Sequence, residues 1–238
     1  MSYLIKFYSL FGKNFIRQRL LEKTNASAMR LFLSKPFPKN KKSIYDVDIV
    51  SIDLETTGLD PTKDKIISIG LVSIENLEIK LASCWHQIIQ AKKSISEQSV
   101  VIHQITDDKA KTGMSIEQAI PLLLERLAGK VILVHNGNVE QGFINKICQA
   151  LYDCDFVIPI IDTQVLAKRS LDRRNAVYKN NDLRLFNLRR QFKMPDYKAH
   201  NALMDAIATA ELFLAMVNEI VPNSLENKAS ARLGNFLS

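Results

Sequence analysis

The spacing of hydrophobic residues changes near the middle of the chain. In the first half, residues 48–55 and 65–74 are rich in Ile and Val and alternate with polar positions, which predicts two strands joined by a turn at residues 57–61. A third strand is predicted over residues 78–89. Short turns between consecutive strands favour antiparallel pairing. The first half therefore predicts a three-strand antiparallel meander.

In the second half the spacing becomes helical. Apolar residues at helical intervals predict helices over residues 115–127, 139–152 and 202–220, and short apolar runs at 131–135 and 156–161 predict buried strands between them. Strands that alternate with helices usually add in parallel to a sheet. The predicted fold class is α/β, a mixed sheet flanked by helices. Every apolar run is too short to cross a bilayer, so no transmembrane segment is predicted.

Residues 1–45 differ from the rest of the chain in charge. They contain ten Lys and Arg against one acid, whereas the remaining residues carry 22 basic and 24 acidic side chains, within a formal net charge of +7. A slightly acidic body is consistent with a cluster of carboxylates that bind a metal. The three cysteines lack the paired spacing of a zinc site or a secreted disulfide framework, so we expect a cytoplasmic protein.

The basic N-terminal segment predicts an amphipathic helical arm. Its aromatic and aliphatic residues recur at helical spacing, and a Pro- and Lys-bearing linker follows at residues 35–42. The arm could pack on the main domain, face nucleic acid, contact a protein partner, lie on a membrane surface or be a cleaved targeting segment. The predicted organisation is an arm and linker at 1–45, a main domain at 46–222 and a C-terminal tail at 223–238.

Two acids share one face of the first predicted strand. Side chains alternate across a strand, so Asp53 and Glu55 point to one side while Ile52 and Leu54 point to the other. Neighbouring carboxylates repel, and burying them is costly, so such a pair usually needs a cation or solvent. A strand side that simply faces water remains an alternative.

Two more candidate positions open helices. Glu140 lies in the first turn of the helix that follows a buried strand, where an acid is also ordinary helix-capping chemistry. His200 and Asp205 begin the last predicted helix; His200 alone could be a cap or a surface residue, and Asp205 alone could pair with an arginine. Taken one at a time, these residues do not specify a function.

Taken together and in order, the motifs resemble those of the DEDDh family of 3'-5' exonucleases. The resemblance covers about residues 46–220 and rests on Asp-Leu-Glu-Thr-Thr-Gly-Leu at 53–59, Val-Ile-His-Gln-Ile-Thr at 101–106 and His-Asn-Ala-Leu-Met-Asp at 200–205. The most similar group that these motifs suggest is the proofreading epsilon subunit of bacterial DNA polymerase III. The resemblance implies an RNase H-like fold.

The resemblance also implies a site and a reaction. Two Mg²⁺ or Mn²⁺ ions would be held by Asp53, Glu55, Glu140 and Asp205, with His200 as general base. By the same resemblance the terminal nucleotide would contact Thr56, Gly58, Leu59, His103 and Asn136. The expected reaction releases nucleoside monophosphates from single-stranded or frayed DNA.

One motif departs from the family pattern. The second motif of the family usually has an aspartate where this chain has Glu140, which is one methylene longer. Because small displacements of catalytic groups are costly, a nucleic-acid-binding module with a weakened site is one alternative. A 3'-5' exoribonuclease of the same fold is another, because the sequence does not indicate which sugar is recognised.

A second basic region precedes His200. Residues 168–193 contain nine Lys and Arg against two acids. This region predicts either a surface that binds phosphates or a solvated helix face.

Overall fold

The protein folds around one mixed sheet of five strands. The structure, a computed structural model, describes residues 12–90, 112–197, 200–221 and 231–238. The strand order is β3-β2-β1-β4-β5; β1, β2 and β3 pair in antiparallel fashion, and β4 and β5 run parallel to β1. The predicted mixed sheet is therefore confirmed. The strands are β1 (Ile49–Thr56), β2 (Ile66–Glu75), β3 (Glu78–Ile88), β4 (Val131–Val134) and β5 (Ile160–Asp162).

Seven α-helices lie in the described part of the chain. In chain order they are α1 (Lys13–Lys23), α2 (Ser27–Ser34), α3 (Ile116–Leu127), α4 (Asn138–Tyr152), α5 (Thr163–Arg173), α6 (Leu185–Gln191) and α7 (Ala202–Ile220). Among the residues described, none of these helices combines the length and the apolar character that crossing a membrane requires.

The alternation of side chains along β1 divides the core into two layers. Val50, Ile52 and Leu54 pack with α2, α3 and α4 on one side of the sheet. On the other side, Ile49 packs with residues of α5, α6 and α7. Each face of the sheet is thus covered by helices, as expected for central strands that are apolar on both sides.

Helix α7 is fixed to the sheet at two points. The hydroxyl of Ser51 donates to the carbonyl oxygen of Ala206 at 2.7 Å, within the buried layer. The backbone of Ala202 lies directly on Gly70 of β2, where a side chain would have no room. These contacts bring the first turn of α7 onto the face of β1 that carries Asp53 and Glu55.

Residues 13–37 of the predicted arm pack against the same core. Met29, Phe32 and Leu33 of α2 are buried beside α3, and Phe37 of the predicted linker is buried with them. The side chain of Asn14 holds Phe37 by bonding both its backbone N–H and its carbonyl oxygen, each at 2.9 Å. Packing on the main domain is therefore the interpretation that applies to this part. The part of the predicted amphipathic arm that precedes residue 12 lies outside the described residues.

The C-terminal residues also join the sheet layer. The backbone N–H groups of Leu233 and Gly234 donate to the carbonyl oxygens of Lys42 and Asn40, at 2.8 and 2.9 Å. The N–H of Ser238 donates to Ile160 of β5 at 3.0 Å. Residues 231–238 therefore pair with both the predicted linker and the outer strand.

Strand β5 is shorter than predicted. The sequence pattern predicted a strand over residues 156–161, but regular pairing begins only at Ile160. Pro159 has no backbone N–H to give, and the N–H of Phe156 bonds the side chain of Asn145 at 2.8 Å instead of a strand. Residues 156–158 are buried all the same, which explains their apolar pattern.

Candidate active site

The acidic pair lies near the carboxyl end of the central strand. Asp53 and Glu55 share the face of β1 that α7 covers, where Ser51 bonds to that helix. Glu55 is only 6% exposed, and Asp53 is half-buried. An apolar strand thus places two carboxylates under a helix, which is a costly arrangement unless something compensates their charge.

The first turn of α7 adds an imidazole and a third carboxylate. Asn201 caps the helix by accepting the N–H of Met204 at 3.1 Å, and Asp205 accepts the N–H of His200 at 3.0 Å. His200 adopts a left-handed conformation, with φ of 66°, and is exposed. A non-glycine residue in this conformation is strained and must be held there by its surroundings.

These elements converge on one cluster. Glu55, His200 and Asp205 each offer one ligand atom, and the three atoms lie within 4.8 Å of one another. They come from the end of β1, the segment before α7 and the first turn of α7. Residues separated by about 150 positions in the sequence therefore meet at one point.

Glu140 lies in the first turn of α4, close enough for its charge to act on Asp53. It is buried, with 4% exposure. The turn before it is held by Asp162, which accepts the N–H groups of Asn136 and Gly137 at 3.2 and 2.9 Å and also caps α5. Asp162 was not among the predicted site residues. Its position between a strand and a helix is the capping signal that could have identified it.

Burial raises the pKa of all four carboxylates predicted to bind the metal. Burial raises the pKa of Glu55 to about 7 and that of Asp205 to about 6. Burial, with the nearby charge of Asp162, raises the pKa of Glu140 to about 8. The pKa of Asp53 lies well above its ordinary value because of burial and the charges of Glu140, Asp205 and Glu55. The bare protein thus favours protonated acids here.

The donor set fits a divalent cation. Glu140 Oε2 and Asp205 Oδ1 are buried without a hydrogen-bond partner among the described residues. Buried carboxylate oxygens ordinarily find a partner, and the charges of both acids also act unfavourably on ionised Asp53. Oxygen ligands of this kind suit Mg²⁺ or Mn²⁺, which would also compensate the charge.

A tight loop follows β1 beside the cluster. Thr56 donates to the carbonyl oxygen of Gly58 at 2.6 Å, and Asp64 accepts from Thr57 and from the N–H of Asp60. A Cβ on Gly58 would lie 2.4 Å from the Asp64 carboxylate, so a side chain would disturb the loop. Leu59 is 78% exposed at its tip.

The remaining predicted nucleotide contacts are Asn136 and His103. Asn136 is exposed and left-handed, with φ of 72°, at the end of β4. His103 lies outside the described residues. The neighbouring His135 is largely buried against Thr163 at 2.8 Å, and burial lowers its pKa to about 4.

The basic region before His200 is partly engaged in structural contacts. Arg189 is fully buried, so neither a phosphate-binding surface nor a solvated helix face applies to this residue. Its guanidinium instead forms an ion pair with Glu211, in which Nη1 and Oε2 lie 2.8 Å apart. Arg190 pairs with Asp196, and Arg174 pairs with Glu219.

Comparison with known proteins gives the same family as the motifs. The model of the family described as "RNase_T: Exonuclease" matches residues 50–213. PolC-type DNA polymerase III of Thermotoga petrophila is 33% identical over 175 residues, and that of Thermotoga maritima is 34% identical over 172 residues. These matches cover 74% and 72% of the chain but only 12% of each polymerase. The predicted relation to bacterial DNA polymerase III is confirmed, with PolC-type enzymes as the relatives.

Solved structures share the fold. The nuclease domain of 3'hExo, a DEDDh family member bound to rAMP, has a TM-score of 0.62 at 18% identity over 75% of this chain and 95% of that one. Exonuclease X in complex with 5' overhanging duplex DNA has a TM-score of 0.56 at 22% identity, covering 76% and 97%. The predicted RNase H-like architecture is therefore confirmed.

Proposed function

The chain belongs to the exonuclease family, and from this we propose that it is a divalent-metal-dependent 3'-5' exonuclease. Its substrate would be the terminal phosphodiester bond of single-stranded or frayed DNA, and its product a nucleoside monophosphate. We also propose a cytoplasmic setting, in which the free thiols of Cys84, Cys148 and Cys154 would stay reduced.

The observation that carries this proposal is the convergence of Glu55, His200 and Asp205 within 4.8 Å. A carboxylate cluster alone could be an ion-binding site of no catalytic use. An exposed imidazole beside the carboxylates adds a group that can accept a proton from water. The carboxylates and the imidazole together support hydrolysis of a phosphodiester bond.

In this proposal Asp53, Glu55, Glu140 and Asp205 hold the metal, either Mg²⁺ or Mn²⁺. When bound, the cations would acidify the attacking water and neutralise charge on the phosphate oxygens. The buried oxygens of Glu140 and Asp205 would then gain the partner that they lack among the described residues.

His200 serves as the general base. Its imidazole accepts the proton of the attacking water and passes it to solvent, because the residue is exposed. Asp205 also accepts the backbone N–H of His200 at 3.0 Å. This hydrogen bond fixes the position of the His200 backbone and therefore of its imidazole. The strained backbone of His200 is consistent with a position set by function.

The loop after β1 receives the terminal nucleotide. Leu59 offers an exposed apolar surface for a base, while Thr56 and Gly58 form a rigid backbone edge beside it. Asn136 would contact the substrate from the end of β4. His103 stays a predicted contact.

The test uses 5'-labelled oligonucleotides of DNA and of RNA, incubated with Mg²⁺ or Mn²⁺ and with EDTA. Asp205→Asn and Glu55→Gln keep the shape of each side chain, and Glu125→Gln, on the exposed face of α3, is the matched control. We expect stepwise mononucleotide release that the control retains, while EDTA and the two site variants lose it. Release from RNA alone would favour the exoribonuclease. Metal-independent binding without release would favour a binding module.

A further inference from the structure

A buried arginine joins three parts of the chain just before His200. Arg189 of α6 is 0% exposed. Its Nη1 donates to the carbonyl oxygen of Ala208 at 2.9 Å and to Glu211 at 2.8 Å, both in α7. Its Nη2 donates to the carbonyl oxygen of Pro195 at 3.0 Å, in the connection between the two helices. One guanidinium thus ties α6, the connection and α7 together.

Tyr197 completes the same cluster. Its ring stacks on the Arg189 guanidinium at 4.5 Å, and its hydroxyl donates to Glu211 at 2.8 Å. The connection is therefore fixed to Arg189 of α6 through the carbonyl oxygen of Pro195, and to Glu211 of α7 through the hydroxyl of Tyr197. Tyr197 precedes His200 by three positions.

His200 needs restraint from both directions along the chain. On its C-terminal side, Asp205 and the cap residue Asn201 hold it to the first turn of α7. A left-handed non-glycine conformation persists only where the surroundings over-determine it. On its N-terminal side, the last described residue before it is Tyr197, which the Arg189 cluster holds to α7.

We propose that Arg189 is a positioning residue for the reaction, which orients His200 by fixing the connection that leads into it. This inference rests on the proposed function, because it assigns Arg189 to the placement of that general base. Within the described part of the chain, Arg189 donates its hydrogen bonds to Ala208, Glu211 and Pro195 and none to the carboxylates proposed to bind the metal. A buried ion pair usually adds little net stability, and in some proteins it fixes a specific conformation instead.

The test is a double-mutant cycle on kcat with a single-stranded DNA oligonucleotide and Mn²⁺. Arg189→Met and His200→Ala are made singly and together, and urea unfolding checks that each variant folds. Arg190→Met is the matched control, since Arg190 is the next residue of α6 but is 63% exposed and pairs with Asp196.

We expect Arg189→Met to lower kcat by about tenfold or more with KM changed by less than about twofold. In the His200→Ala background the same change should have no further effect on kcat, because the residue acts through the imidazole. Equal losses in both backgrounds would overturn the inference, as would a loss no larger than that of Arg190→Met.

Tyr197→Phe provides a milder second variant if Arg189→Met does not fold. It removes the hydroxyl that bonds Glu211 and keeps the ring that stacks on Arg189. A kcat loss that disappears in the His200→Ala background supports the inference, and an unchanged kcat contradicts it. If His200→Ala itself is fully active, the proposed function fails; if it is impaired but the losses add, only the role of Arg189 fails.

Discussion

Ala202 lies so close to Gly70 that a Cβ on the glycine would stand 2.2 Å from the Ala202 carbonyl carbon. Gly70 is also the β2 partner of Asp53 in the antiparallel register. The missing side chain therefore lets the first turn of α7 reach the sheet beside the acidic pair. A glycine in a strand interior often marks such a close approach of another backbone.

We predict that Gly70→Ala disrupts activity more than it disrupts folding. The new methyl must push the start of α7 outward, which displaces Asp205 and His200 from Glu55. A displacement of about an ångström costs on the order of a hundredfold in kcat, whereas overpacking costs about 1–3 kcal/mol of unfolding free energy. Steady-state kinetics and urea unfolding measure the two effects.

Gly234→Ala is the control for this prediction. A Cβ there would meet Asn40 Cβ at 3.2 Å, in a C-terminal turn that carries no candidate site residue. Full activity of Gly70→Ala would contradict the prediction, because it would show that the site does not require α7 to lie this close to β2.

The stability of the metal-free protein should fall as the pH rises. Burial raises the pKa of Glu140 to about 8 and that of Glu55 to about 7, so the folded state keeps protons that the unfolded chain has already released. Stability is therefore greatest below the unfolded pKa and is lost as pH rises through the folded pKa, by about 1.4 kcal/mol for each unit of difference. Urea unfolding in EDTA between pH 5 and pH 9 measures this decline.

Two comparisons isolate the cause of that decline. Glu140→Gln should flatten the slope because it removes an acid whose pKa is raised to about 8, while the exposed Glu125→Gln should not. Adding Mn²⁺ at pH 8 should restore stability, since a cation favours the ionised acids. A slope that neither Glu140→Gln nor Mn²⁺ changes would exclude the carboxylate cluster as its source.

Glu140 is the position at which the chain departs from the family pattern, with a glutamate in place of the usual aspartate. The residue is buried in the first turn of α4 with its charge acting on Asp53. We predict that Glu140→Ala lowers kcat about a hundredfold or more, while Glu140→Asp keeps or raises it, as the shorter acid is the residue usual in the family. The relative rates with Mg²⁺ and Mn²⁺ measure whether the extra methylene shifts the metal preference. A fully active Glu140→Ala would mean that this carboxylate is idle.

The sequence predicted the sheet well because its strands carry local signals. The Ile- and Val-rich alternation located β1, β2 and β3 to within about two residues, and the change of spacing located α3, α4 and α7. The start of β5 was less predictable, since burial of residues 156–158 produces a strand-like pattern without strand pairing. The spacing of apolar residues indicates which residues are buried, whereas strand pairing also depends on the neighbouring strand.

The residues at and near the site differ in the same way: some belong to local sequence motifs, and others are identified only by contacts with distant parts of the chain. Asp53, Glu55, His200 and Asp205 belong to short motifs that can be read directly. Arg189 could not be distinguished from the surface arginines around it, because its burial depends on Glu211, 22 residues further along the chain. Such partners become visible only when α6 and α7 are packed together.

The C-terminal segment should contribute to stability as part of the core. Phe236 is 1% exposed and its ring meets that of Phe213 in α7 edge-on, with centroids 6.1 Å apart. We predict that Phe236→Ala lowers the unfolding free energy by about 3–5 kcal/mol, the usual cost of removing a buried aromatic ring. Asn235→Ala changes the exposed neighbour and should cost far less.

A double-mutant cycle with Phe213→Leu separates ring contact from general packing. If the two rings interact as the geometry indicates, the losses of Phe236→Ala and Phe213→Leu should be less than additive by about 0.5–1.5 kcal/mol in urea unfolding. Additive losses would mean that each ring packs independently. A loss below about 1 kcal/mol for Phe236→Ala would show that residues 231–238 are held by their backbone bonds to Lys42 and Ile160, because those bonds survive the substitution.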